Sequence, residues 1–150
     1  MHDRTRRTTK LGTTTVCIAA ARVDRVALAG NIVAYGVDRC GVDTGFTSVV
    51  VRSLSEGKRL ASYAAVNGPG LVESYQTIGS IVVKRDASVA WIGTEHSIIG
   101  RGSRTEVDGA QHGKRALLDS GVGIVASSLR LRGSTLSWRR ASMTRTATLF

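Results

Sequence analysis

Short apolar runs alternate with polar turns along the whole chain, and no segment holds a convincing helical period. Residues 80–93, SIVVKRDASVAWIG, read as a strand, a polar turn and a second strand that ends on Trp91. The same design recurs in VALAGNIVAY (26–35) and LRLRGSTLSW (129–138). Each of these has Gly at its fifth position, Gly30 or Gly133, and each ends on an aromatic, Tyr35 or Trp138. A second pair of segments matches as well, SEGKRLASY (55–63) with QHGKRALLD (111–119). Gly57 lies 22 residues after Tyr35 and Gly113 lies 22 residues after Trp91, so both markers give one spacing of 56 residues.

This repeat predicts eleven antiparallel strands, near 25–29, 32–37, 47–54 and 58–65, then 80–85, 88–94, 103–111 and 114–119, then 128–132, 135–140 and 144–149. Alternation sets the faces. Leu129 and Leu131 oppose Arg130 and Arg132, while Val49 and Val51 oppose Val50 and Arg52. A further strand at 13–20, around Cys17, would bring the number to twelve, or three groups of four. The segment 66–79 reads as the loop between the first two repeats and carries the single proline. Residues 1–14 read as a flexible basic tail, and 15–150 as one all-β repeat domain.

Four antiparallel strands recurring at this spacing are what a propeller blade looks like in sequence. The inner hairpin ending on Trp or Tyr, with the Gly-Lys-Arg turn that follows, resembles WD-type and Tol-type β-propeller repeats over residues 25–150. RCGVDTGFTSVVVRSLSEGKRL (39–60) and LLDSGVGIVASSLRLRGSTLSW (117–138) resemble segments of uncharacterised exported proteins of high-GC actinobacteria. The resemblance implies an incomplete or small propeller-like domain in an exported or cell-envelope protein, and it implies no activity. An ordinary β-sandwich is the alternative architecture.

The formal net charge is +10, and 17 of the 21 basic residues are arginine. A basic surface can hold nucleic acid, a sulfated glycan or anionic lipid. The densest cluster, Arg130, Arg132, Arg139, Arg140 and Arg145, is the candidate polyanion site. With two Phe in the chain and no basic–aromatic platform for stacking bases, nucleic acid is the weaker partner reading. No apolar run is long enough to cross a membrane as a helix. At the N-terminus, Arg6 and Arg7 precede an apolar run, Val16 to Ala21, that is shorter than an export signal's core. Cys17 and Cys40 are the two cysteines; a disulfide is favoured for an exported chain, and buried thiols for a cytosolic one.

The sharpest catalytic signal is GVDTGFTSVVV (41–51), which resembles the retropepsin-type aspartic protease motif, with SIIGRG (97–102) as a second echo. That resemblance implies a homodimer in which Asp43 meets its twin. Two carboxylates about 3 Å apart share a proton and activate a water, and Thr44 and Gly45 support the pair. Phe46 stands where that family carries a small residue, and the 56-residue repeat has no counterpart there. Asp-Thr-Gly is also an ordinary turn into a strand, and that reading is preferred. His2, His96 and His112 show no ligand spacing, so neither metal nor cofactor is expected. No Gly-x-Ser-x-Gly elbow occurs, and GVGIVAS (121–127) lacks the lysine of a phosphate loop. Tyr35, Trp91 and Trp138 read as core fillers rather than a sugar platform. The expected function is a non-enzymatic binding or structural module with a protein or glycan partner, the dimeric protease and the polyanion binder being the alternatives.

Overall fold

The computed structural model describes residues 8–12, 22–40, 45–68, 74–100 and 102–150. They form eleven strands: β1 (Arg22–Ala29), β2 (Ile32–Cys40), β3 (Gly45–Ser53), β4 (Lys58–Ala64), β5 (Ser74–Val83), β6 (Val89–Ser97), β7 (Ser103–Gln111), β8 (Lys114–Ser120), β9 (Arg130–Arg132), β10 (Thr135–Arg140) and β11 (Met143–Thr148). The strands make three antiparallel sheets, each built from consecutive strands of one repeat. Sheet I runs β1-β2-β3-β4, sheet II runs β5-β6-β7-β8, and sheet III runs β9-β10-β11. The described residues contain no helix.

The marker glycines explain why the repeat is visible. Gly30, Gly57, Gly113 and Gly133 sit in hairpin turns with φ of 61°, 66°, 78° and 58°. That left-handed region strains any residue with a Cβ, so the turn chemistry keeps glycine in register with the strands. The aromatic markers follow from cross-strand pairing. Tyr35 opposes Val26 and Trp91 opposes Ile81, while Val33 opposes Leu28 and Val89 opposes Val83.

One expectation needs correcting. The stretch 66–79 is too polar to read as a strand, yet β5 begins at Ser74 and extends the predicted strand back by six residues. Pairing with β6 as far as Ser97 supplies its backbone partners. A bulge between Ile78 and Ser80 breaks the alternation that would have revealed it.

The three sheets stack face to face. Ala34, Val49 and Val51 of sheet I pack with Ile78, Val89 and Trp91 of sheet II in one buried cluster. Ala90, Ile92 and Val107 on the other face of sheet II pack with Leu136 and Trp138 of sheet III. Sheet II therefore buries apolar residues on both sides, and β6 is buried from Val89 to Glu95. The two tryptophan markers point back toward the preceding sheet. The Trp91 indole stacks on Tyr63 at 5.5 Å and donates Nε1–H to the Ala65 carbonyl at 2.9 Å. The Trp138 indole donates to Asp119 Oδ2, also at 2.9 Å. In both cases an indole grips the end of the neighbouring sheet's last strand.

Candidate binding face

Between sheets I and II lies a buried ionic cluster. Glu95 and Asp108 are fully buried and Glu106 nearly so. Arg115 reaches Asp108 Oδ1 at 2.8 Å and Glu106 Oε2 at 3.7 Å, and lies over the Trp91 ring at 5.0 Å. Arg104 sits 3.2 Å from Glu95 Oε2 and 3.5 Å from Glu106 Oε1. The two arginines also hold the end of sheet I, Arg115 by donating to the carbonyl of Ala64, the last residue of β4, and Arg104 by donating to that of Asn67 in the loop beyond it. Burial raises the Asp108 carboxyl above its ordinary value, with Glu106 adding to the rise and Arg115 opposing it. With its carboxylates buried and Arg104 reaching the surface, the cluster reads as an electrostatic clamp between two sheets.

The open site is found by carrying that interface one repeat back. Strand register makes Val26, Leu28, Val33 and Tyr35 of sheet I the counterparts of Ile81, Val83, Val89 and Trp91 of sheet II. The sheet II set is packed against sheet I. The sheet I set faces outward, and Val26 and Leu28 are 58% and 65% exposed. Among the described residues outside the sheet, Thr9 and Leu11 reach this outer face, Leu11 packing against the Val33, Tyr35, Val37 and Val50 cluster. A cavity lies on each side of Leu11. One, of about 470 Å³, is lined by Val26, Leu28, Val33 and Leu54 and is largely apolar. The other, of about 550 Å³, is lined by Tyr35, Val37, Val50 and three arginines, Arg39, Arg52 and Arg59.

The counterparts of the clamp residues differ in a telling way. Arg59 stands where Arg115 does, opposite the strand that leads into the hairpin. Its acidic partners are gone: Val50 replaces Asp108, Ser48 replaces Glu106 and Arg39 replaces Glu95. Arg52 and Arg59 are direct cross-strand neighbours, an arrangement that like charges disfavour. Arg52 Nε is buried without a hydrogen-bond partner, and among the described residues the cavity wall contains no carboxylate.

The other candidates are placed as follows. The five C-terminal arginines do not form one patch. Arg130, Arg132 and Arg139 share the outer face of sheet III, with Ser137 and Thr144 as cross-strand neighbours. Arg140 and Arg145 lie on the opposite face, and Arg140 is paired with Asp119 at 2.6 Å. Asp43, Thr44 and Cys17 lie outside the described residues. Gly45 opens β3 and pairs with Cys40, the last residue of β2. His96 stacks on Tyr75 at 4.7 Å, and His112 occupies a hairpin turn. No group of His, Cys, Asp and Glu that could hold a metal occurs among the described residues. No helix among them is long and apolar enough to cross a membrane.

Sequence reasoning missed the Arg39–Arg52–Arg59 cradle because the three residues are spread over β2, β3 and β4. The signal that could have found it is the Val50/Arg52 alternation, which puts an arginine on the same face as a buried valine.

Fold and face together define an all-β stack of three antiparallel sheets with a part-apolar, part-basic flank that, among the described residues, is only partly covered. Comparison with protein-family models, curated proteins and solved structures found no match to this chain.

Proposed function

We propose that this protein is a non-catalytic β-repeat module, propeller-like in the way its sheets stack, that binds a partner on the outer face of sheet I. The reading rests on one observation. The apolar set Val26, Leu28, Val33 and Tyr35 on the outer face of sheet I matches, by strand register, the set Ile81, Val83, Val89 and Trp91 that sheet II packs against sheet I, while Val26 and Leu28 stay exposed. Exposed aliphatic side chains beside a cavity, on a face whose internal copy is an interface, are the mark of a binding surface. The resemblance of 39–60 and 117–138 to exported actinobacterial proteins favours an exported or envelope setting.

The test uses 1-anilinonaphthalene-8-sulfonate, which carries an apolar ring system and one anionic group. The folded protein should enhance its fluorescence with a stoichiometry near one. The double substitution Val26→Ser with Leu28→Ser should abolish that enhancement without loss of fold, because both side chains are exposed. No enhancement by the native protein, or enhancement indifferent to the double substitution, overturns the reading.

A further inference from the structure

We infer that the partner of this face is an acidic polypeptide, whose carboxylates enter the Arg39–Arg52–Arg59 cradle while its apolar side chains cover Val26 and Leu28. The inference rests on the docking reading above and adds the chemistry of the occupant.

Charge is the first reason. Three guanidinium groups line one cavity of about 550 Å³, with no carboxylate in its wall among the described residues. None of the three forms an ion pair among the described residues, although Arg104, Arg115 and Arg140 each do. In sheet II the same face balances its arginines with Glu95, Glu106 and Asp108. Sheet I keeps the Arg115 counterpart and has no acid at the matching positions, so a carboxylate-bearing partner would supply the charge that no described residue supplies.

Shape is the second reason. In the docked pair, Gly93 lets the Ala65 backbone approach so closely that a Cβ there would lie 2.0 Å from the carbonyl oxygen. Val37 occupies the counterpart position in sheet I. Its side chain holds an incoming backbone away from the sheet and leaves room that side-chain carboxylates can fill. Guanidinium groups match carboxylates in paired, planar geometry.

Other occupants fit less well. A second copy would bring either the same arginines or Arg130, Arg132 and Arg139 of sheet III against the cradle. A polynucleotide would find one aromatic in the cavity, Tyr35, which is 5% exposed and offers no stacking surface. Neither a nucleic acid nor a sulfated glycan would use the aliphatic strip beside the cradle.

The experiment titrates the full chain, at about 0.15 M salt, with a fluorescent peptide of alternating Val and Glu. Parallel titrations use a Val/Lys peptide and heparin. The Val/Glu peptide should bind one to one and at least about tenfold tighter than the Val/Lys peptide. Arg52→Glu should weaken it by about tenfold or more. Arg59→Glu, at an exposed position, should do the same and keeps the test sound if the first variant folds poorly. The Val26→Ser/Leu28→Ser variant should lose the peptide too.

Dye binding without peptide binding leaves the docking face standing and overturns the acidic partner. Loss of both overturns both readings. Heparin binding that depends on Arg52 and Arg59, with no peptide binding, makes the cradle a polyanion site and overturns the inference. So does a dimer in light scattering that returns to 15.9 kDa in the Val26→Ser/Leu28→Ser variant.

Discussion

Gly93→Ala tests the stacking of sheets I and II, on which the binding face depends. The added Cβ would lie 2.0 Å from the Ala65 carbonyl oxygen, 2.8 Å from its carbon and 3.3 Å from Val66 Cγ2. Carbon and carbonyl oxygen pack at about 3.3 Å, so one sheet must move by more than an ångström. Both sides of the contact are backbone, which cannot rotate away. Overpacking of this kind costs about 1–3 kcal/mol. The displaced carbonyl also accepts the Trp91 Nε1–H bond, and losing that partner inside the core costs about 1–3 kcal/mol more. A total of about 2–6 kcal/mol is a large share of the roughly 5–15 kcal/mol by which domains are stable. At about 2–4 °C per kcal/mol for a chain of this size, the midpoint should fall by roughly 4–24 °C. Thermal unfolding by circular dichroism, paired with urea titration, measures it. Gly102→Ala is the control, since its Cβ would meet nothing within 4 Å. If Gly93→Ala stays within about 0.5 kcal/mol of wild type, a span typical of inert surface changes, the two sheets do not meet as described.

Three further outcomes are expected. Arg115→Met should lower stability in urea by about 3–5 kcal/mol, because Asp108 and Glu106 keep their buried charge and lose a cation. Asp119→Ala should cost about 1–3 kcal/mol by the same assay, because it strips both the Trp138 indole and Arg140 of their acceptor. The pH dependence of Asp108 runs against the usual carboxylate sense. Burial raises its folded pKa, so the fold holds this proton more tightly than the unfolded chain does. Its contribution is full below the ordinary value of 3.8 and is lost as pH rises through the raised value. Asp108→Asn removes that opposing slope, so as pH rises above 3.8 its stability should increase relative to wild type; parallel slopes would contradict the assignment.

Much of the fold was legible because the rules that set it are local. Turns that demand positive φ keep Gly30, Gly57, Gly113 and Gly133 in place, and period-two alternation marks the strands between them. β4 and β8 begin where the Gly-Lys-Arg turn predicts, at Lys58 and Lys114. β7 shows where local rules fail. In SRTEVDGAQ, alternation puts Arg104, Glu106 and Asp108 on one face, which reads as solvent-facing. That face is buried, because Arg115 on β8 and the carbonyls after β4 supply partners no local pattern reveals. The candidate face was equally hidden. Arg39, Arg52 and Arg59 belong to three strands, and the meaning of their exposure depends on the matched face of sheet II being covered.

By itself, then, the sequence determined the strands, their grouping into repeats and the faces of most side chains, since turn stereochemistry and alternation act over a few residues. The tertiary structure alone decided which faces meet. Stacking depends on contacts between residues far apart in the chain, such as Trp91 with Ala65 or Trp138 with Asp119. It also decided that Arg39, Arg52 and Arg59 line one cavity without an ion pair among the described residues, because charge balance across a face is a property of the assembled sheets and not of any one strand.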